Sequence, residues 1–244
     1  MRQTNNTAIV LRYANYREND RMLTLFSPTR GRIEALSRGC RKPKSPLVAA
    51  SELFSLGEYE LYEKNGHMTV ISAVLTETFY PLRLDYDRLA VGTYLLNLCE
   101  LVVQPGANAQ DLFMLLLHTL SRLTFSDQDW RPLLAGFLLH FSNCEGYRPA
   151  LDACVHCGQV IPENEAAWFD PEEGGICCAD CRTKATPGLS AAQRKWLGMA
   201  GRSGSASWVN TEDCHAPLGI LRSYVEKRMD GPVRTASMLP KGEA

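Results

Sequence analysis

Five of the nine cysteines in this chain of 244 residues lie close together, and their spacing limits what the region around them can fold into. Cys154 and Cys157 form one C-x-x-C pair, and Cys178 and Cys181 form a second pair after an interval of 20 residues. Two thiolates in such a tight turn can bind a tetrahedral metal ion from one side, so two pairs can enclose it. The spacing therefore predicts a four-cysteine zinc segment.

Cys177 stands directly before the second pair and offers a different register. A C-x3-C loop from Cys177 to Cys181 fits the metal geometry less well, so Cys177 is expected to be a spare thiol. Four thiolates leave no open position for water, whereas catalytic zinc normally keeps one. We expect one structural Zn²⁺ per chain; an iron–sulfur cluster also takes four cysteines, but two symmetric pairs favour zinc.

Residues 1–80 have the pattern of β-structure. Apolar or alternating runs predict strands at residues 7–13, 22–27 and 31–37. Residues 53–75 predict a hairpin, because Asn65-Gly66 supplies the positive φ angles of a type I′ turn. About five short strands in about 80 residues suit a small closed barrel such as the OB-fold, with a small β-sandwich as the alternative.

From about residue 82 the apolar residues recur at a helical period instead. Asp129 and Ser190 are predicted N-caps, Pro217 a first-turn residue and Gly146 a helix terminator. Because the helices are apolar over a wide arc, they are expected to pack as a bundle. The predicted helices are 85–103, 109–125, 129–147, 190–201 and 217–231.

The expected fold class is α+β: an N-terminal OB-fold β-barrel followed by an all-helical domain with an inserted four-cysteine zinc-knuckle segment. The length is enough for two or three domains. The predicted division is a barrel domain at 1–80, helical parts at 81–150 and 187–238, a zinc-knuckle segment at 151–186 and a tail at 239–244.

The charge is unevenly distributed along the chain. Residues 1–80 hold 11 Lys/Arg and 8 Asp/Glu, a balance of +3, whereas residues 81–244 hold 15 and 19, a balance of −4. The stretch "RGRIEALSRGCRKPKS" (30–45) contains one acid, and its basic side chains attract phosphate. A solvated surface loop is the alternative interpretation. The candidate DNA-binding residues are Arg30, Arg32, Arg38, Arg41, Lys42 and Lys44.

Three aromatic residues near this stretch, Tyr13, Tyr16 and Phe54, could stack on bases, although aromatic residues here are more often part of a core. The sequence contains no phosphate-binding loop, no zinc-protease motif and no nucleophile elbow. We therefore expect a binding protein rather than an enzyme. Neither a signal peptide nor a membrane span is recognised, which predicts a cytosolic protein.

The order of motifs resembles the RecO family, bacterial mediators of DNA repair and recombination. "AIVLRYANYREND", at residues 8–20, contains all but the last residue of a Tyr-x-Glu-x-Asp-Arg element that runs from Tyr16 to Arg21. A Gly-Arg strand at Gly31-Arg32 and a basic loop that ends in Lys-Ser follow. The "CVHCG" and "GGICCADC" motifs and the C-terminal "LRSYVEKRMDGPVRTASML" extend the likeness over nearly the whole chain.

The resemblance implies an OB-fold domain, a helical domain and a zinc-knuckle segment. It also implies binding of single- and double-stranded DNA, annealing of complementary strands, and action with RecR to load RecA onto DNA coated by single-strand-binding protein. Family members contact the acidic tail of that coating protein. Some lack the cysteines, so zinc is not the shared source of function. The implied location is the bacterial cytoplasm, at the nucleoid.

A second hypothesis makes the protein mainly an interaction adaptor. The predicted helical bundle would offer an apolar pocket with a basic rim to the acidic tail of single-strand-binding protein, and DNA contact would be secondary. The two roles are compatible. A metal-dependent nuclease or transferase is a third and weaker alternative.

Overall fold

The computed structural model describes residues 2–202, 208 and 214–240. The chain forms two compact units. The first contains residues up to Leu120 together with the segment from Val233 onwards, and the second contains Ser121–Pro232. The first unit is therefore built from both ends of the sequence.

Five strands of the first unit form a closed barrel in the order β1-β2-β3-β5-β4. Neighbouring strands are antiparallel except β3 and β5, whose parallel pairing is limited to two residue pairs. This closed barrel of five strands confirms the predicted OB-like fold. The strands are β1 (Arg2–Tyr16), β2 (Asp20–Ser27), β3 (Gly31–Ser37), β4 (Leu56–Lys64) and β5 (His67–Glu77).

The barrel closes around apolar side chains that alternate along the strands. In β3 every second residue is buried, as a strand with one face towards a core requires. Tyr59 is fully buried, and its hydroxyl donates hydrogen bonds to the carbonyls of Ala50 and Ser55. The core residues are Ala8, Val10, Leu23, Leu25, Ile33, Ala35, Cys40, Leu47, Ala50, Tyr59, Leu61 and Val70.

The predicted hairpin between β4 and β5 is confirmed. Lys64 pairs with His67, and the two residues between them turn the chain. Asn65 has φ 51° and Gly66 has φ 76°, the positive angles that a type I′ turn needs at both central positions.

The five predicted helices are present in the described residues. Asp129 caps α3 by accepting a hydrogen bond from the backbone N–H of Arg131. Ser190 and Gln193 form a reciprocal capping box at the start of α4. The helices are α1 (Tyr86–Val102), α2 (Gln110–Phe125), α3 (Trp130–Cys144), α4 (Ala191–Arg202) and α5 (His215–Glu226).

The last helix is shorter than its pattern predicts. The sequence indicates a helix to residue 231, but α5 ends at Glu226. Beyond it, Arg228 donates to the carbonyl of Val225, which is the tighter i+3 pattern of a helix end. Gly231-Pro232 then prevents the helix from continuing.

The chain between α1 and α2 packs closely against the start of β3. Gly106 donates a backbone hydrogen bond to Arg30, and Arg32 donates one to Gln104. Gly31 lies between them at φ +61°, and a Cβ atom added there would come within 2.1 Å of the Gln104 carbonyl oxygen. Only glycine has room for this approach.

The first unit is completed by the C-terminal segment. Leu239 is buried, and a 3-10 turn at Arg234–Met238 lies against α1. There the backbone N–H and the hydroxyl of Thr235 donate hydrogen bonds to Asn97 Oδ1. The predicted tail at 239–244 falls outside the described residues from residue 241 onwards. Among the residues that the structure describes, no helix is long and apolar enough to cross a membrane.

Candidate metal centre and basic groove

The four predicted cysteines of the second unit meet at one point. The sulfur atoms of Cys154, Cys157, Cys178 and Cys181 all lie within 4.8 Å of one another, and those of Cys157 and Cys178 are 3.8 Å apart. A tetrahedral zinc ion with Zn–S bonds of about 2.3 Å has S–S edges of about 3.8 Å. The donor set therefore fits one metal ion and is consistent with zinc.

The two C-x-x-C turns are closed by the same backbone hydrogen bond. The N–H of Gly158 donates to the carbonyl of Cys154, and the N–H of Arg182 donates to the carbonyl of Cys178. Gly158 has φ 76°, which favours glycine, whereas Arg182 closes the second turn without a positive φ. The second turn therefore forms with an arginine at the position that glycine occupies in the first turn.

A small sheet determines which cysteines converge. Its strands are β6 (Ala167–Asp170), β7 (Gly175–Cys177) and β8 (Gly188–Leu189), in the order β7-β6-β8. The first turn lies beside β7, because the N–H of Val155 donates to the carbonyl of Ile176. Cys177 is the last residue of that strand and is fully buried, and Cys178 leaves the strand and joins the group of four.

The backbone favours the thiolate form of one ligand. Burial raises the pKa of the Cys154 thiol, but N–H groups of Cys157, Cys178 and His156 point at its sulfur and lower that pKa to about 6. A thiolate is the form that binds a metal ion. The first turn is thus arranged to hold a negative sulfur.

His156 lies between the two cysteines of the first turn and contacts Asp170 at the end of β6. Its side chain is 35% exposed, and its Nε2 lies 3.0 Å from Asp170 Oδ2. Burial raises the pKa of the Asp170 carboxyl, yet the N–H groups of Glu173 and Glu172 and the His156 ring hold it below its usual value. Asp170 therefore joins the first cysteine turn to the end of β6.

A buried arginine anchors the cysteine segment to α4. Arg194 is 5% exposed, and its two terminal nitrogens donate hydrogen bonds to four backbone carbonyls. Such donors satisfy acceptors that would otherwise be buried without a partner. The carbonyls belong to Leu151, Ile161, Pro162 and Glu165.

Arg194→Leu should reduce the free energy of unfolding by about 2 kcal/mol, because carbonyl groups would remain buried without donors. Denaturant unfolding of the full chain measures this difference. Lys195→Leu is the matched control, since Lys195 is the exposed neighbour in the same helix. Equal stabilities for the two variants would contradict the anchoring role.

A basic groove lies at one end of the barrel in the first unit. It is open and has a volume of about 580 Å³. The β1–β2 turn forms one side and the loop after β3 forms the other. Its lining residues, which define the basic groove, are Arg17, Glu18, Asn19, Asp20, Arg38, Gly39 and Lys42.

Hydrogen bonds hold the two sides of the basic groove together. Asp20 Oδ1 accepts from the backbone N–H of Gly39 at 2.7 Å. Arg41 donates through its backbone N–H to Asn19 and through its guanidinium to the carbonyl of Glu18. Arg38, Arg41, Lys42 and Lys44 are exposed, so four of the six candidate DNA-binding residues share one loop.

The other two candidates lie at the opposite end of β3, about 20 Å along the strand. Arg30 donates to Thr4 Oγ1 and Asn6 Oδ1, and Arg32 donates to the carbonyl of Glu100. Their guanidinium groups contact the protein itself, and both residues are only partly exposed. Contact of Arg30 and Arg32 with DNA stays a prediction.

Sequence reasoning missed Arg17 as a member of the groove. Arg17 has φ 55° in the β1–β2 turn and faces the loop after β3 across the groove. The available signal was its position in a charged run between two predicted strands. Nothing in the run itself indicates which loop it meets.

Fold and site together define a class of protein: a small β-barrel carrying a basic groove, joined in one chain to helices and a four-cysteine metal segment. A family model described as "Recombination protein O N terminal" matches residues 1–79, and one described as "Recombination protein O C terminal" matches residues 83–236. The chain belongs to the RecO family of DNA repair proteins.

Individual relatives support the assignment. The chain is 36% identical over 192 residues to "DNA repair protein RecO" of Desulfitobacterium hafniense. The aligned region covers 78% of this chain and 67% of the relative. The chain is 33% identical over 178 residues to the protein of the same name in Symbiobacterium thermophilum, covering 72% and 70%. For Nocardioides sp. the identity is 30% over 203 residues, covering 82% of each.

Proposed function

We propose that this protein is a DNA-binding recombination mediator. It binds single- and double-stranded DNA, anneals complementary strands and acts with RecR to load RecA onto DNA coated by single-strand-binding protein. It contacts the acidic tail of that protein, works in the cytoplasm at the nucleoid, and acts by binding rather than by catalysis. The observation that carries the proposal is the basic groove.

Three basic side chains line the groove against two acidic ones, Glu18 and Asp20, and the Asp20 carboxylate accepts a hydrogen bond from the N–H of Gly39. Arg17, Arg38 and Lys42 line the groove, and Arg41 and Lys44 extend the positive charge along the same loop. Lys and Arg contacts with phosphates position a strand without reading its sequence. Neutralising the phosphates of two strands reduces their mutual repulsion, which favours annealing.

The proposed ion of the second unit is one structural Zn²⁺. Its ligands are the four converging cysteines, Cys154, Cys157, Cys178 and Cys181. Four thiolates complete a tetrahedron, so the ion would brace the fold rather than act on a substrate. In this proposal the cysteine segment supports the protein, and the DNA contacts come from the barrel.

Arg41→Glu/Lys42→Glu should weaken binding of both single- and double-stranded DNA at least about tenfold, because two phosphate contacts become repulsive. The logarithm of the binding constant should also fall less steeply with the logarithm of salt concentration, by about two units of slope. Fluorescence titration of labelled oligonucleotides across a salt series, with and without RecR, measures both effects.

Lys184→Glu/Lys195→Glu is the matched control. It makes the same change in net charge on two exposed residues of the second unit. Its DNA affinity and salt slope should stay close to those of the unchanged protein. If the two double variants bind DNA equally well, the groove is not the DNA-binding surface.

A further inference from the structure

One aromatic side chain stands beside the basic groove with its ring accessible. Tyr16 is 42% exposed. The other two candidates are less accessible: Tyr13 packs against the barrel core with the Arg21 guanidinium 3.9 Å from its ring centroid, and Phe54 is 1% exposed. Of these three candidates for base stacking, the structure leaves Tyr16 available.

The strand register places Tyr16 next to the groove. Tyr16 pairs with Asp20 across β1 and β2, and directly paired residues project from the same face of a sheet. Asp20 is the residue whose carboxylate accepts the hydrogen bond from Gly39 in the basic loop. The ring of Tyr16 therefore stands alongside the residue that anchors that loop.

Arg17 connects the ring to the positive charge. Its guanidinium carbon lies 5.2 Å from the Tyr16 ring centroid, and the same residue lines the groove with Arg38 and Lys42. Arg17 also has φ 55°, in a left-handed region that a residue with a Cβ atom rarely adopts. Such backbone is retained where the surrounding structure holds it, often at binding sites.

We propose that Tyr16 stacks on an unpaired base of a single strand whose phosphates lie on Arg17, Arg38 and Lys42. The inference rests on the proposed DNA-binding function and adds a residue that distinguishes single-stranded from double-stranded DNA. An unpaired base offers its face to an aromatic ring, whereas the bases of a duplex are already stacked on their neighbours. The phosphate contacts can bind both forms of DNA, whereas stacking on the ring adds affinity only for the single strand.

Tyr16→Ala should weaken binding of single-stranded oligonucleotides about tenfold in the full-length protein, and binding of duplex by less than about twofold. Tyr16→Phe keeps the ring and should bind both forms normally. Competition titrations with a thymidine oligonucleotide and a blunt duplex measure the two affinities. An equal loss for both forms, or no loss for either, would overturn the inference.

Tyr80→Ala is the matched control. Tyr80 is 59% exposed and follows the end of β5. The end of β5 pairs with Leu56 of β4, which pairs with Ile9 in the middle of β1, roughly 20 Å along that strand from Tyr16. Its removal should leave both affinities unchanged. A loss of single-strand affinity as large as that of Tyr16→Ala would show that the effect does not depend on the groove.

A second measurement does not depend on the alanine variant folding. Indole fluorescence of Tyr16→Trp should be quenched when a thymidine oligonucleotide is added and unaffected by duplex, and Tyr80→Trp should show neither response. Absence of quenching would contradict the stacking. The double variant Arg41→Glu/Lys42→Glu separates the two proposals. If it binds DNA normally, the groove is not the DNA-binding surface and both proposals are wrong. If it loses affinity but the Tyr16 variants do not, only the stacking is wrong.

Discussion

Cys154→Ser is expected to release the bound metal and to lower the free energy of unfolding by more than about 4 kcal/mol. The other three cysteines cannot complete a tetrahedron, and the first cysteine turn would lose the sulfur at which three backbone N–H groups point. Because the proposed ion would be bound only by the folded segment, its binding free energy would add directly to folding. Elemental analysis should give one zinc per unchanged chain, and thermal unfolding should show the loss.

Two further variants test which cysteines are ligands. Cys178→Ser should lose the metal, whereas Cys177→Ser should keep one equivalent, because the Cys177 side chain is buried in β7 outside the group of four. Cys144→Ser, which changes an exposed cysteine in α3, should behave like the unchanged protein. If Cys177→Ser lost the metal and Cys178→Ser retained it, the proposed ligand register would be wrong.

Gly31→Ala is expected to destabilise the first unit by about 4 kcal/mol. The added Cβ would meet the Gln104 carbonyl oxygen at 2.1 Å, a backbone atom that cannot rotate away. The barrel and the chain that follows α1 would have to separate, with loss of the hydrogen bonds beside them. The positive φ of 61° adds a cost of about 1–2 kcal/mol for any residue with a side chain.

Gly66→Ala separates these two effects. Gly66 also has a positive φ, of 76°, but a Cβ atom there would have nothing within 4 Å. Its substitution should cost only the conformational part, about 1 kcal/mol. Denaturant unfolding of both variants measures the difference, and similar losses would mean that the close approach of Gln104 is unimportant.

Local chemistry explains most of what the sequence could predict. The Asn65-Gly66 turn, the caps at Asp129 and Ser190 and the two cysteine pairs depend on residues within a few positions of one another. Each therefore leaves a pattern that can be read directly. The closed barrel follows from the number and spacing of such strands and from the resemblance, and β3 shows the expected alternation of buried residues.

What the sequence could not predict depends on distant partners. Arg194 bonds carbonyls about 30 to 40 residues earlier in the chain, and its own neighbourhood looks like an ordinary amphipathic helix. Arg17 gains its place in the basic groove only when the β1–β2 turn meets the loop after β3. Arg30 and Arg32 belong to the same charged run as Arg38, yet the strand between them carries them to the other end of the barrel.

The discontinuous first unit has a consequence for protein synthesis. The barrel strands and α1 are synthesised before the second unit, whereas the turn that bonds Asn97 through Thr235 is synthesised after it. Translation of Ser121–Pro232 at roughly 5–20 residues per second delays that contact by on the order of ten seconds. During this interval α1 lacks the contact with the Arg234–Met238 turn, so the first unit can be completed only after the second unit has been synthesised.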